Sequence, residues 1–129
     1  MADLLAQAST WLEGMRHAHA SQPVVYQRGE ASITLSATIG RTVFQVMTAE
    51  GAVEQVERRD YLVRAVDLVF GGVRTLPLAG DRIRESRDGK EYVYEAVATG
   101  QEKHFRPSDP GGLTLRVHTA LVDTVEDVP

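Results

Sequence analysis

Hydrophobic positions follow two periods along the chain, and the change falls at Pro23. Before it, Leu4, Ala8, Trp11 and Met15 recur at spacings of four, three and four, with Leu5 and Leu12 widening the stripe. Such spacing puts them on one face of a helix. Asp3 can cap its start, and His17 and His19 lie near its end, where positive charge suits the helix dipole. Ser21-Gln22-Pro23 stops it, because the residue before a proline avoids the helical region. The pattern predicts a helix over 3–19.

After Pro23 the period is two. Val24–Gln27 reads as a strand and Arg28-Gly29-Glu30 as a turn. Ile33, Leu35, Ala37 and Ile39 then alternate with Thr34, Ser36 and Thr38, which predicts a half-buried strand with the aliphatic set inward. Gly40 is expected to break or bend it before a further strand over Thr42–Val46. Beyond the Ala49-Glu50-Gly51 turn, an extended run continues to about Val66 and gives way to a short helical turn. A helix over 60–70, stopped by Gly71-Gly72, competes for the same residues. Pro77–Asp81 is a tight turn, and Asp88-Gly89 marks a hairpin between Arg82–Glu85 and Glu91–Val97. A last strand alternates Leu113, Leu115, Val117 and Thr119 with Thr114, Arg116 and His118.

These elements predict a mainly β fold with an N-terminal α-helix, the strands forming a small antiparallel β-barrel or sandwich. At 129 residues the chain is expected to be one domain, 1–129: the helix over about 3–19, the β-barrel over about 24–120, and a loose acidic C-terminal tail over 121–129. Hydrophobic residues at 43% and charged residues at 25% exclude a disordered or fibrous chain. No stretch approaches the roughly 20 apolar residues of a spanning helix, and the N-terminus lacks a signal peptide's basic and apolar regions. A soluble chain made and used inside a cell is expected.

The absence of cysteine removes thiol nucleophiles, disulfides and cysteine-ligated metals. His17 and His19 would point about 200° apart on a helix, so no metal site and no cofactor is predicted. No nucleophile elbow or phosphate loop occurs; Gly71-Gly72 and Gly111-Gly112 lack the residues a phosphate cradle needs. His118 sits on the polar face of its strand and is expected to be exposed or interfacial, while Glu54 and Glu57 read as polar positions of an exposed strand. Arg82, Arg84, Arg87 and Lys90 cluster on the predicted hairpin among Asp81, Glu85, Asp88 and Glu91, which reads as a solvated, charge-balanced surface rather than a nucleic-acid site. No catalytic residue is assigned. The net charge of −4 makes the chain no general attractor of nucleic acid or anionic lipid.

Three stretches carry a family resemblance: Arg59-Asp60-Tyr61-Leu62-Val63-Arg64-Ala65-Val66-Asp67-Leu68, Pro77-Leu78-Ala79-Gly80-Asp81-Arg82-Ile83, and Asp88-Gly89-Lys90-Glu91-Tyr92-Val93-Tyr94-Glu95-Ala96-Val97. Phe105–Pro110 and Leu113–Thr119 complete it. In order and layout the chain resembles small head–tail connector proteins of long-tailed bacteriophages and prophages, the lambda tail-attachment or head-completion type. It differs from the lambda pattern in a longer C-terminus and a longer Phe70–Leu76 segment. The resemblance implies a non-enzymatic virion protein of the neck, made in the bacterial cytoplasm. It implies a homo-oligomeric ring, hexamer or dodecamer, between portal or adaptor and tail proteins, with DNA passing through without specific binding and no membrane partner. The alternative is a free-standing small barrel that binds protein or nucleic acid. Packing or interface contacts are expected from the helix stripe (Leu4, Ala8, Trp11, Met15) and from the two segments the barrel pattern explains least. These supply Met47, Glu50 and Val53, and Phe70, Val73, Arg74 and Leu76.

Overall fold

The computed structural model describes residues 21–126. The helix expected over 3–19, with Leu4, Ala8, Trp11 and Met15, lies outside the described residues.

Period-two segments become strands throughout: β1 Ser21–Arg28, β2 Ala31–Met47, β3 Val53–Arg64, β4 Val69–Phe70, β5 Val73–Arg74, β6 Arg82–Arg87, β7 Lys90–Ala96, β8 Phe105–Pro107 and β9 Thr114–Glu126. Residues 60–70 do not form the competing α-helix; β3 runs through Arg64, and a 3₁₀ turn over Ala65–Asp67 follows. All pairings are antiparallel. They run β3–β2–β1–β6–β7–β9 and return through a direct β9–β3 ladder from Arg59↔Thr119 to Arg64↔Thr114, so the hydrogen bonding forms a closed circuit. β8 adds to the first half of β9, and β4 and β5 form a separate ribbon.

The interior is filled by Val24, Tyr26, Leu35, Ala37, Tyr61, Val63, Leu68, Ile83, Tyr94, Leu115 and Val117. As the alternation requires, Leu35 and Ala37 are buried, Ile33 and Ile39 pack against them, and Thr34 is exposed. Asp88 and Gly89 both have positive φ (53° and 74°), the backbone of a two-residue hairpin turn whose twist matches the strands.

Three expectations are corrected. Gly40 does not end a strand. It is paired with Asp60 inside the single 17-residue β2, and a Cβ there would come within 3.2 Å of Arg116 Nη1 and Leu62 Cδ1. The glycine permits close approach on an unbroken strand. His118 is not exposed: it is 1% accessible, and Thr114 on the same face is buried too. Both faces of β9 are covered here, because Phe44 meets the His118 ring edge-on at 5.0 Å and the 97–104 segment bonds to the His118 backbone at Val97 and His104. Residues 121–126, expected in a loose tail, are the second half of β9 and pair with β7 as far as Lys90↔Glu126. A register shift at Val93/Tyr94 accommodates the extra residue Val122.

β2 and β3 outrun the circuit. β2 pairs with β1 only up to Thr38, and β3 pairs with β9 only from Arg59. Beyond those points Thr42–Met47 and Val53–Arg58 pair with each other alone among the described residues, as a two-stranded arm.

Candidate functional site

Polar side chains enter the circuit at three buried carboxylates. Asp81, Ile83 and Glu85 share one phase of the strand pattern and are all buried. Asp81 accepts hydrogen bonds from Tyr26 Oη (2.5 Å), Arg28 Nη2 (2.8 Å) and the Leu78 backbone N–H (2.8 Å). Burial pushes its carboxyl pKa up, but these donors outweigh burial and hold it below the ordinary value. Arg28 also reaches Thr75 and the Leu76 carbonyl, tying the 75–81 loop to β1.

Glu85 is 3% accessible, not the solvated acid expected of the hairpin. It accepts from Tyr61 Oη at 2.6 Å, from Arg59 Nη2 at 2.8 and 2.9 Å, and from Arg87 Nη1 at 2.9 Å. Arg87 also donates to Tyr94 Oη and lies 3.9 Å over the Tyr92 ring, so the hairpin's basic residues are stacked and paired rather than free. Burial raises the Glu85 pKa and its hydrogen bonds reverse the shift to a net lowering. Burial and the bond to Glu85 push the Tyr61 hydroxyl well up, so it stays a donor.

Asp60 is fully buried and accepts from Arg116 Nη1 (2.7 Å) and Thr42 Oγ1, with His118 Nδ1 at 2.8 Å. Its carboxyl is likewise held below the ordinary value against burial. The three clusters hold β1 to the 75–81 loop, β3 to β6, and β2 to β3 and β9. Their geometry is that of cross-links between strands. Among the described residues, no group of three acidic, histidine or cysteine side chains could hold a metal ion.

Exposed apolar side chains gather at the two ends. At the arm end are Val43, Met47 (71% accessible), Val53 (63%), Leu121, Val122 and Val125. At the other end, where β3 leaves and β6 and β9 enter, are Val66, Val73 (67%), Leu76 (56%), Leu78 and Leu113. Monomer surfaces rarely concentrate large apolar groups this way. The expected contact residues divide between them. Met47 and Val53 close the arm ladder as a directly paired couple, with exposed Glu50 in the turn between. Val73, Arg74 and Leu76 are exposed at the opposite end. Phe70 is different: it is partly buried against the core, 6.0 Å from the Tyr26 ring and under the Arg28 guanidinium.

Sequence reasoning missed the three carboxylate clusters. The signal was present for Glu85, whose phase is that of Ile83.

No curated protein matches the chain. The family described as Phage head-tail joining protein matches residues 2–126, nearly its whole length. A rigid strand circuit cross-linked by polar clusters, with apolar side chains left out at both ends, suits that description. The chain belongs to the phage head–tail joining protein family, and its role is a structural one at the junction of phage head and tail.

Proposed function

We propose that the protein acts by shape and assembly alone, as a connector ring in the phage neck, one end of each subunit facing the head side and the other the tail side. The separation of exposed apolar residues into two end clusters carries this reading. A joining subunit needs two docking surfaces that do not compete for one face. Met47, Glu50 and Val53 supply contacts at the arm end, and Val73, Arg74 and Leu76 at the other; both segments reach beyond the circuit, where a neighbour has access. Identical copies joined side by side through two different lateral faces close into a ring when the rotation permits, which leaves both ends free. DNA passing through such a ring would meet few free cations from the paired set, since Arg28, Arg59, Arg84, Arg87 and Arg116 are held by carboxylates of their own chain. Attraction to DNA grows with each cation free to neutralise a phosphate. Assembly as one domain completes the reading.

In-vitro joining of purified heads and tails tests it. A Met47→Asp/Val53→Asp double variant is expected to fold, to bind one of the two particles and to lose the other. Val73→Asp/Leu76→Asp is expected to show the opposite selectivity. Two variants that both bind heads and tails like the parent would overturn the assignment of the ends.

A further inference from the structure

Along the arm, β2 and β3 each turn one side to no other strand among the described residues. β2 pairs with β1 only up to Thr38, β3 meets β9 only from Arg59, and from Thr42↔Arg58 to Met47↔Val53 the two strands pair with each other alone. A two-stranded ribbon is marginal in water by itself, and a third strand is what stabilises it. The open sides are also unguarded. Proteins blunt an exposed strand edge with lysine, proline or a bulge. Thr42–Met47 and Val53–Arg58 hold no lysine and no proline, their register runs without a shift, and Thr42–Met47 has no charged residue.

Each open edge borders a groove. The groove along β2 is about 590 Å³ and is lined by the consecutive residues Val43–Met47 and by the Thr99–Glu102 turn. That run is the length of a typical strand. The groove at β3 is about 680 Å³ and lies between Glu57 and Arg58 of β3 and Ala120 and Leu121 of β9, among others.

We infer that the arm is the lateral joint between copies: the β2 edge of one arm pairs with the β3 edge of the next over Thr42–Val46 and Glu54–Arg58, and the arms of the assembly form one closed antiparallel sheet. The inference rests on the ring reading above and supplies its two lateral faces. Direction selects this occupant. β2 and β3 run oppositely, and rotation about an axis along the arm keeps every strand's direction, so each β3 edge arrives antiparallel to a neighbouring β2 edge. The edges match in length, being the two sides of one ladder. The open half of β9 does not suit β2: both strands are antiparallel to β3, so it would arrive parallel. Charge agrees. The β3 edge carries Glu54 and Glu57 against one base, Arg58, which is tied to Thr99. β2 from Ile39 to Met47 carries Arg41 and no acid. Pairing β3 with β3 would set acids against acids. Pairing β2 with β2 needs a two-fold axis that turns the arms in opposite directions and ends at a dimer. The tip from Met47 to Val53 stays outside the joint, free for the head or tail particle.

The absence of cysteine lets disulfides map the joint. Gln45 is exposed on β2, and Val53, Gln55 and Glu57 are exposed on the same face of β3. Full-length Gln45→Cys is co-expressed with a differently tagged copy carrying Val53→Cys, Gln55→Cys or Glu57→Cys. Rings formed in solution or on purified heads are then oxidised mildly. Each chain has one cysteine, so a link forms only between copies. At least one β2–β3 combination is expected to join the two tags, and Gln45→Cys alone to form no link. Rings without any β2–β3 link would overturn the arm joint and leave the ring reading intact. Links within Gln45→Cys alone would overturn it in favour of a two-fold dimer. No rings, either in solution or on heads, would overturn the ring reading and this inference with it.

Amide hydrogen exchange gives an independent reading on the unaltered full-length protein. In the diluted monomer, the amides of Thr42–Val46 and Glu54–Arg58 that point away from the partner strand are expected to exchange fast, and to slow once the ring forms. Full protection already present in the monomer would sink the proposal, because it assigns the cover of these edges to the same chain.

Discussion

Glu85 shows how one side chain organises its neighbourhood. Five hydrogen bonds from Tyr61, Arg59 and Arg87 converge on a carboxylate that water barely reaches. Removing its charge would leave two guanidiniums facing each other. Breaking a fully buried pair costs about 3–5 kcal/mol; Arg59 and Arg87 are 28% and 34% accessible and can turn to water, which lessens the loss. Glu85→Gln is therefore expected to destabilise by about 2–3 kcal/mol, measured by urea unfolding, with the strand spectrum retained. An unchanged midpoint would show that the cluster contributes nothing. Its inward direction was legible, since residues two apart on a strand share a face and Ile83 is plainly apolar. Its acceptors and donors were not, because Arg59 and Tyr61 come from a strand more than twenty positions away in the chain. His118 was misread for a related reason. Alternation places it on the face away from the core, but only the fold brings Phe44 across to cover that face.

At the level of elements the strands were readable, because a period of two and turn chemistry are both local. The Asp88-Gly89 turn and the Leu35/Ala37 face follow from neighbouring residues alone. What sequence could not supply is which strands meet, and that decides Gly40 and β9. Gly40 looks like a strand breaker when β2 is considered alone. Set beside β3 and β9, it is the place where the Arg116 guanidinium, bonded to Asp60 of β3, comes up against β2. Gly40→Val should displace Arg116 and Leu62 and cost about 1–3 kcal/mol, with the loss reduced, though not abolished, when Arg116→Ala is already present, because Leu62 Cδ1 still lies 3.2 Å from the added Cβ. A full and additive loss in the double variant would argue against crowding at Arg116. The long β2–β3 hairpin has a similar history. Its residues beyond the circuit still alternate, so nothing local distinguishes arm from wall. That is why Met47 and Val53 stood out in the sequence only as positions the barrel did not explain.

Taken as a whole, the molecule sets a pH range for its own stability. The carboxyls of Asp60, Asp81 and Glu85 are held below their ordinary values of 3.8, 3.8 and 4.5. Their contribution is complete above those values and is lost as pH falls through the lower folded ones. Tyr26 and Tyr61 are shifted the other way, above the ordinary 10.0, first by burial and then by their bonds to carboxylates. Their contribution is complete below that value and is lost as pH rises past it. Urea midpoints are thus expected to be level from about pH 5 to 9 and to fall on both sides; a steady slope across the neutral range would contradict this. The ladder between β3 and β9 has a further consequence, in time rather than energy. It joins residues fifty to sixty positions apart, and β9 is the last described strand in chain order. Until it arrives, β3 and β7 each keep an unpaired edge, so the circuit cannot close in stages along the chain. Folding dominated by such distant pairings takes milliseconds to seconds, and during that interval the open edges can capture other chains. A variant that slows β9 docking without weakening the finished circuit would therefore show itself first as lower soluble yield, while its unfolding midpoint stayed where it was.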